Sequence, residues 1–408
     1  MLRLLRTHPL FRRLWLAGTI SLVGDWLSLV AVALLALDRG GGARSLALVL
    51  AAHALPQALL APVAGVVADR FDRRRVLLAA PLAQAALTLL MALAAARGAV
   101  LAVQALVLAR SAVSAFVVPA EAAALRRTVP EAELLRANGL LSGTWSVTYV
   151  AGMALGGALA TLGPATAMLL DALTFAAAAA LLRGLPALVP ERGPKARAAG
   201  VAAAFADDLT AAYRYAADRP ALFRKVFGKA PIALAGGAGW VTVHLLADGL
   251  RPLGTAALSL GVLQAVRGAG TGIGPALASA LPRRFEGGTD QAAAALTFAA
   301  IAALPAATSA PALLMIALLW GMGTGTNWVL SSAGVQERAP DGMVGRLASM
   351  DELGTTAALV AGALLGAEVV TRAGSPLAAA GVGAVLGASA WAWLWRRREG
   401  AAAVAMAG

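Results

Sequence analysis

Of the 408 residues, 60% are apolar and only 13% are charged, with a mean hydropathy of +0.76, whereas a soluble domain carries roughly 25% charge. A water-soluble globule is excluded; so are disulfide and thiolate chemistry, because the chain has no cysteine, and a metal cofactor, because three scattered histidines form no ligand set. The net charge of +13 would suit nucleic acid, but its distribution along the chain, given below, excludes that partner.

Apolar runs of about 20 residues, each long enough to cross a bilayer, recur between Gly, Pro and charge clusters. They predict twelve helices near 13–37, 45–68, 76–96, 99–119, 138–161, 164–183, 222–247, 254–281, 290–307, 310–333, 347–370 and 375–395. The first run follows Arg3, Arg6, Arg12 and Arg13 and continues past Asp25 with no small-residue cleavage site, so it reads as a retained helix rather than a signal peptide. Between the sixth and seventh helices lies a polar stretch with Pro186, Pro190 and Pro194, followed by Asp207 to Tyr215, which reads as a linker with a short amphipathic surface helix. The halves are then 1–183 and 222–408, joined by 184–221.

With a cytoplasmic N-terminus, only Arg39, Arg44, Arg97, Arg251 and Arg372 of the 34 Lys and Arg residues face outward, and only Arg110 and Arg267 lie inside helices. That is the positive-inside rule. It places both termini in the cytoplasm and makes the basic balance topological.

The two sides of the linker repeat at an offset of 210, since Pro130-Glu131 aligns with Pro340-Asp341, Arg136 with Arg346, Arg73-Arg74 with Arg283-Arg284, and Gly152 and Gly156 with Gly362 and Gly366. At that offset Asp25 meets Ala235 and Asp69 meets Ser279. The acidic groups then belong to the first half, which is expected to carry coupling chemistry while the second contributes more of the substrate surface.

Between the second and third helices stands Gly65-Val66-Val67-Ala68-Asp69-Arg70-Phe71-Asp72-Arg73-Arg74-Arg75. The glycine lets another helix approach, Asp69 can face the positive end of a neighbouring helix, and the arginines hold the loop at the headgroups. At Gly65, Ala68, Asp69, Arg70, Arg73 and Arg74 it resembles the corresponding loop of major facilitator transporters; Val67 and Asp72 depart from the pattern. The resemblance implies an all-α membrane protein of twelve transmembrane helices in two pseudo-symmetric six-helix halves, a monomer in the cytoplasmic membrane. It also implies a cytoplasmic gate at Gly65, Asp69, Arg70, Arg73 and Arg74, and a substrate site near the midplane between the halves. Leu169 to Phe175, the linker helix ending at Arg219-Pro220, and Phe11 to Trp15 followed by Gly24-Asp25 are similar to the branch containing the enterobactin exporter and the macrolide efflux proteins.

Ionisable groups inside a membrane are costly, about 2.5–3.5 kcal/mol on insertion scales, and are site candidates by default. Asp25, among Ile20, Leu22, Val23, Trp26 and Leu27, can bind a proton on one side and release it on the other. Arg110 occupies the place where efflux members of the family carry an arginine, with Ser114 where they have glycine; an Asp25–Arg110 pair is the expected coupling unit. Asp171, followed by Thr174, reads as a structural or coupling group, and Arg267, with Gln264 before it and Gly268, Gly270, Gly272 and Gly274 after it, as an anion contact. Gly152 and Gly156 resemble the glycine-rich segment of exporters without its proline, and small-residue packing explains them almost as well. Trp26, Gln57, Gln104, Trp145, Tyr149, Gln264, Asn327 and Trp328 are mixed polar and aromatic groups at mid-helix and form the candidate substrate cavity; His53 and Pro56 read as a hinge.

The chain shows no catalytic constellation and no phosphate-binding glycine loop, so neither an enzyme nor an ATP-driven pump is expected, and no cofactor. The expected function is a proton-coupled exporter of amphipathic small molecules such as drugs or siderophores. A lipid or lysolipid transporter of the same fold, a nutrient importer and a non-transporting membrane sensor stay open at this level.

Overall fold

The computed structural model describes residues 2–39, 41–189, 201–280 and 286–406. Arg283 and Arg284, the second copy of the basic pair, and the linker prolines 190 and 194 lie outside the described residues. Every long element described is an α-helix: α1 (Leu2–Thr7), α2 (Pro9–Arg39), α3 (Ala43–Arg70), α4 (Arg73–Ala96), α5 (Val100–Ser114), α6 (Val117–Thr128), α7 (Leu134–Ala160), α8 (Pro164–Leu182), α9 (Val201–Ala217), α10 (Pro220–Phe227), α11 (Lys229–Leu250), α12 (Ala256–Ser279), α13 (Glu286–Ala303), α14 (Ala310–Arg338), α15 (Asp341–Ala373) and α16 (Pro376–Met406).

Nine spans among the described residues are long and apolar enough to cross a membrane, two of them interrupted, Val100–Thr128 and Pro220–Leu250. The three remaining long helices, α7, α12 and α13, are diluted by polar and small residues: Trp145 and Tyr149 with glycines in α7, Gln264 and Arg267 with glycines in α12, and Asp290 early in α13. Exposed leucines and valines, Leu101, Leu162, Val147 and Leu173 among them, are the surface that a bilayer covers.

Both interruptions have the same cause. Proline has no N–H and its ring crowds the carbonyl four residues earlier; Pro119 acts on Ala115, and Pro231 on Phe227. The chain keeps helical angles across each break, φ −54° and ψ −31° at Ala115 and φ −63° and ψ −29° at Gly228, so hydrogen bonds are lost without a change of direction. The fourth span therefore continues to Thr128 instead of ending at 119 as the sequence suggests.

Two compact units result. The first comprises Met1–Gly42, Ala51–Ala202 and Gly254–Ala265, the second Ala43–Leu50, Ala203–Leu253 and Val266–Gly408. In each unit the first long helix is the most enclosed, 61% buried over its apolar window in α2 and 72% in α10–α11, against 39–44% elsewhere. In each, that helix packs against a glycine-bearing partner. A side chain on Gly152 would meet Trp26 Cβ at 2.5 Å, and one on Gly156 would meet Leu27 Cα at 3.0 Å. In the second unit Gly362 faces Leu234, and Gly366 lies 2.9 Å from Ala238 Cα by the same measure. The repeat seen in the sequence is thus a repeat of helix contact.

The linker helix α9 belongs to the second unit, where Ala212 and Ala216 pack with Leu222, Phe223, Val226, Val335, Leu347 and Leu394, and Asp208 pairs with Arg346 at 2.8 Å. In the first unit, Leu14, Ala17, Leu77, Ala120, Ala124, Ala178 and Leu182 form one core cluster with Leu185 and Leu188.

Candidate functional site

The first unit buries three charges on three helices. Nη1 of Arg110, on α5, lies 3.1 Å from Asp25 Oδ1 on α2 and 2.6 Å from Asp171 Oδ2 on α8, and donates to Ser28 Oγ at 3.1 Å. Arg110 and Asp171 are sealed, whereas the Asp25 side chain keeps 19% of its surface exposed. Ser28 Oγ in turn donates to the Asp25 carbonyl, and Thr174 Oγ1 to the Asp171 carbonyl at 2.7 Å. The Phe175 ring lies 5.7 Å from the guanidinium. Asp171 thus has both the local threonine bond and an interhelical ion pair. One guanidinium can balance one carboxylate, so the second must hold a proton for the cluster to be neutral; buried unbalanced charge is what the cluster avoids.

Asp25 opens onto a cavity of about 230 Å³. Pro119 builds the far wall: the break it makes at Ala115 loosens the helix beside Ser111 and Ser114, and α6 then presents Glu121. Ser114 Oγ donates to the Arg110 carbonyl at 3.3 Å and accepts from Gln84 Nε2 at 2.8 Å. Glu121, half-buried, makes no hydrogen bond or ion pair among the described residues. Sequence reading missed it because Pro119 looked like the end of a helix.

The aromatic wall is a cluster. Trp26 meets Trp145 edge-on at 5.6 Å and Tyr149 at 4.8 Å, and Trp145 stacks on Tyr149 at 5.6 Å. Trp26 Nε1 and His53 Nδ1 are buried without a hydrogen-bond partner. His53, read as a hinge from sequence, instead lines the cavity with Gln57. Tyr149 OH and Gln264 Oε1 are 3.4 Å apart. Gln104 is buried on α5 and is not part of the cavity wall.

The remaining candidates belong to the second unit, so the set of substrate residues divides. Arg267 faces the Trp320 ring at 4.9 Å. Trp328 lies 5.0 Å from Lys229 Nζ, and Asn327 lines a separate cavity with Ser331. Acidic groups are also buried here, against expectation: Lys225 pairs with Asp290 at 2.6 Å and Lys229 with Asp351 at 2.5 Å.

The basic loop holds the chain that leaves α8. Asp72 Oδ1 accepts from the backbone N–H of Arg74 and of Leu188, at 3.0 and 2.8 Å, and Arg74 Nη2 donates to the Arg183 carbonyl at 3.1 Å. Among the described residues nothing lies within 4 Å of a Cβ added at Gly65. Arg73 is half-buried and Arg70 exposed; the Asp69 side chain lies outside the described residues. No group of three metal-binding side chains occurs among the described residues.

Residues 14–351 match the Major Facilitator Superfamily model. The chain is 30% identical over 158 residues to the uncharacterized MFS-type transporter YfiS of Bacillus subtilis (strain 168), covering 37% of each chain. It is 31% identical over 167 residues to the multidrug efflux pump Tap of Mycobacterium tuberculosis (strain ATCC 25618 / H37Rv), covering 39% of this chain and 40% of that one. The chain therefore matches less than half the length of these relatives. The nucleoside transporter NupG shares its fold at a TM-score of 0.71 and 12% identity, over 95% of this chain and 99% of that one. A bacterial homologue of the iron transporter ferroportin does so at 0.67 and 19%, over 93% and 98%.

Proposed function

Because the chain belongs to the Major Facilitator Superfamily, we propose that it is a proton-coupled exporter of amphipathic small molecules, of the kind represented by drugs and siderophores, working by alternating access in the cytoplasmic membrane with both termini inside. The functional halves are 1–183 and 222–408, joined by 184–221, acting as a monomer. Within the superfamily the reading favours the branch of the enterobactin exporter and the macrolide efflux proteins. The likeness to Tap, a multidrug efflux pump by name, supports export.

The observation that carries the reading is the shared guanidinium of Arg110 between sealed Asp171 and partly exposed Asp25. A proton on Asp25 leaves Arg110 balanced by Asp171; its departure leaves one guanidinium between two carboxylates, an excess charge that ties proton release to a change of conformation. One proton crossing about 100 mV yields about 2.3 kcal/mol, and half a pH unit adds about 0.7 kcal/mol. Together they sustain roughly a 150-fold gradient of a neutral substrate.

The cavity supports a substrate with an apolar ring and a basic amine. Its aromatic cluster offers faces for the ring and for a cation, and Glu121 adds a carboxylate whose charge no described residue balances.

The test is substrate-induced proton movement in proteoliposomes under an imposed pH gradient, comparing the parent chain with Asp25→Asn. Substrate-dependent proton flux that vanishes in the variant while binding persists is the expected result. Binding without proton movement in the parent chain would overturn the coupling and leave a facilitator, a lipid transporter or a sensor.

A further inference from the structure

The cavity beside Asp25 is a slot between two helical stripes. Gly18, Ser21 and Asp25 of α2, at steps of three and four, line one side. Ser111, Ser114, Val118 and Glu121, at similar steps along α5 and α6, line the other. This second stripe stays continuous because the chain keeps helical angles through the break at Ala115.

A carboxyl stands at each end of the slot. At one end Arg110 Nη1 meets Asp25 Oδ1 at 3.1 Å. At the other, Glu121 Oε1 lies 3.5 Å from where a Cβ on Gly18 would stand. Gly18 and Asp25 are two helical turns apart, about 10 Å along the axis. That gap is too long for direct proton transfer, which needs about 3 Å or one bridging water. The slot holds about 230 Å³, room for several waters at about 30 Å³ each, and the hydroxyls of Ser21 and Ser111 along it can both donate and accept.

The titratable groups on this cavity are Asp25 of α2, His53 of α3 and Glu121 of α6, with Arg110 of α5 behind Asp25; α4 and α7 contribute the neutral Gln84 and Trp145. His53 stands at the level of Asp25, its ring centre 6.4 Å from that of Trp26. Glu121 stands toward the start of α2, which is the cytoplasmic end when the N-terminus is inside. No charged or hydrogen-bonding neighbour among the described residues holds its carboxyl, so it can take up a proton and give it up again.

We propose that Glu121 carries protons between Asp25 and the cytoplasm, an inference that rests on the proton coupling proposed above. The Asp25 carboxyl gives its proton to water in the slot, the excess proton passes along that water to the Glu121 carboxylate, and Glu121 yields a proton to cytoplasmic water. One proton leaves, and both carboxyls end ionised. Proton exit thus leaves at Glu121 the carboxylate that a substrate amine meets, which fixes the order of events: proton out, then amine in.

The test follows the proton with no substrate present, so that amine binding at Glu121 does not enter. The full-length chain in detergent is given a pH jump, and protonation of Asp25 is timed by infrared difference spectroscopy as the carboxyl band that Asp25→Asn removes. Glu121→Gln is expected to slow that band about a hundredfold, the lower end of what a positioned proton carrier contributes, with the same amplitude at the acid end point. Formate, a soluble carboxylate, restores the rate, and Glu121→Asp slows it less than Glu121→Gln. Gly18→Leu keeps Glu121 and fills the slot beside it, where no other described atom lies within 4 Å of the added Cβ; it slows the band with no rescue by formate. Parent speed in Glu121→Gln or in Gly18→Leu overturns the carrier and leaves the coupling at Asp25 intact. A slow His53→Gln rescued by formate in place of Glu121→Gln moves the route to His53 and also overturns it. If Asp25→Asn removes no band that responds to the jump, the coupling itself falls, and the carrier with it.

Discussion

The Cβ that Gly24 lacks would lie 2.4 Å from Asp171 Oδ1 and 2.0 Å from Thr174 Oγ1. Helices α2 and α8 therefore touch where the buried charges meet, one residue before Asp25. Gly24→Ala is predicted to force Thr174 and Asp171 out of place, costing about 1–3 kcal/mol as overpacking does, with proton-coupled flux lost. Thermal unfolding beside flux checks this, and Thr174→Ala added to Gly24→Ala should recover part of both. Full activity in the single variant would show that the contact has slack.

The triad predicts unequal costs for its members. Arg110→Met leaves two carboxyls without their cation and is expected to destabilise by about 3–5 kcal/mol. Asp25→Asn leaves Asp171 as counter-ion to Arg110 and should cost about 1 kcal/mol, the worth of one hydrogen bond, yet abolish coupling. Asp171→Asn leaves Asp25 as the sole counter-ion of Arg110 and should shift the flux–pH profile to lower pH, because Asp25 then gives up its pairing less readily. A double-substitution cycle on Arg110 and Asp171, read by denaturant unfolding, measures the interaction directly.

Glu121 predicts charge selection between two probes of matched shape. Tetraphenylphosphonium should bind the parent chain and tetraphenylborate should not. Glu121→Gln should weaken the phosphonium about tenfold, equivalent to about 1.4 kcal/mol, and leave the borate unchanged or improved. Equal binding of both ions would remove the preference for amines while leaving an aromatic site in place.

In the second unit, Lys229 Nζ is 2.5 Å from Asp351 Oδ2 and 2.8 Å from Ser332 Oγ. Lys229→Met alone should destabilise by about 3–5 kcal/mol by stranding the carboxylate, and Lys229→Met with Asp351→Leu should recover most of it. Unfolding together with flux of the two variants decides between an ion pair kept for packing and one kept for transport, since only the latter leaves a stable double variant inactive.

What the sequence made legible was whatever a local pattern can carry. Asp25 and Arg110 stood out because charge inside an apolar run is rare, and Gly152 and Gly156 because small residues at helical spacing mark close contact. Lys225 and Lys229 were hidden by position: at the start of an apolar run they looked like ordinary basic flanks. Their partners are 65 and 122 residues away, a relation no spacing reveals. Glu121 was lost to a rule applied one step too far, since Pro119 interrupts hydrogen bonding without stopping the helix.

Pro231 leaves the Phe227 carbonyl at the end of α10 without its helical partner, and on the same turn the Ser331 hydroxyl of α14 donates to the Lys225 carbonyl. A side chain of one helix thus clasps the backbone of another beside its interruption, so a substitution at 331 acts on the Pro220–Leu250 span without altering that span's own sequence.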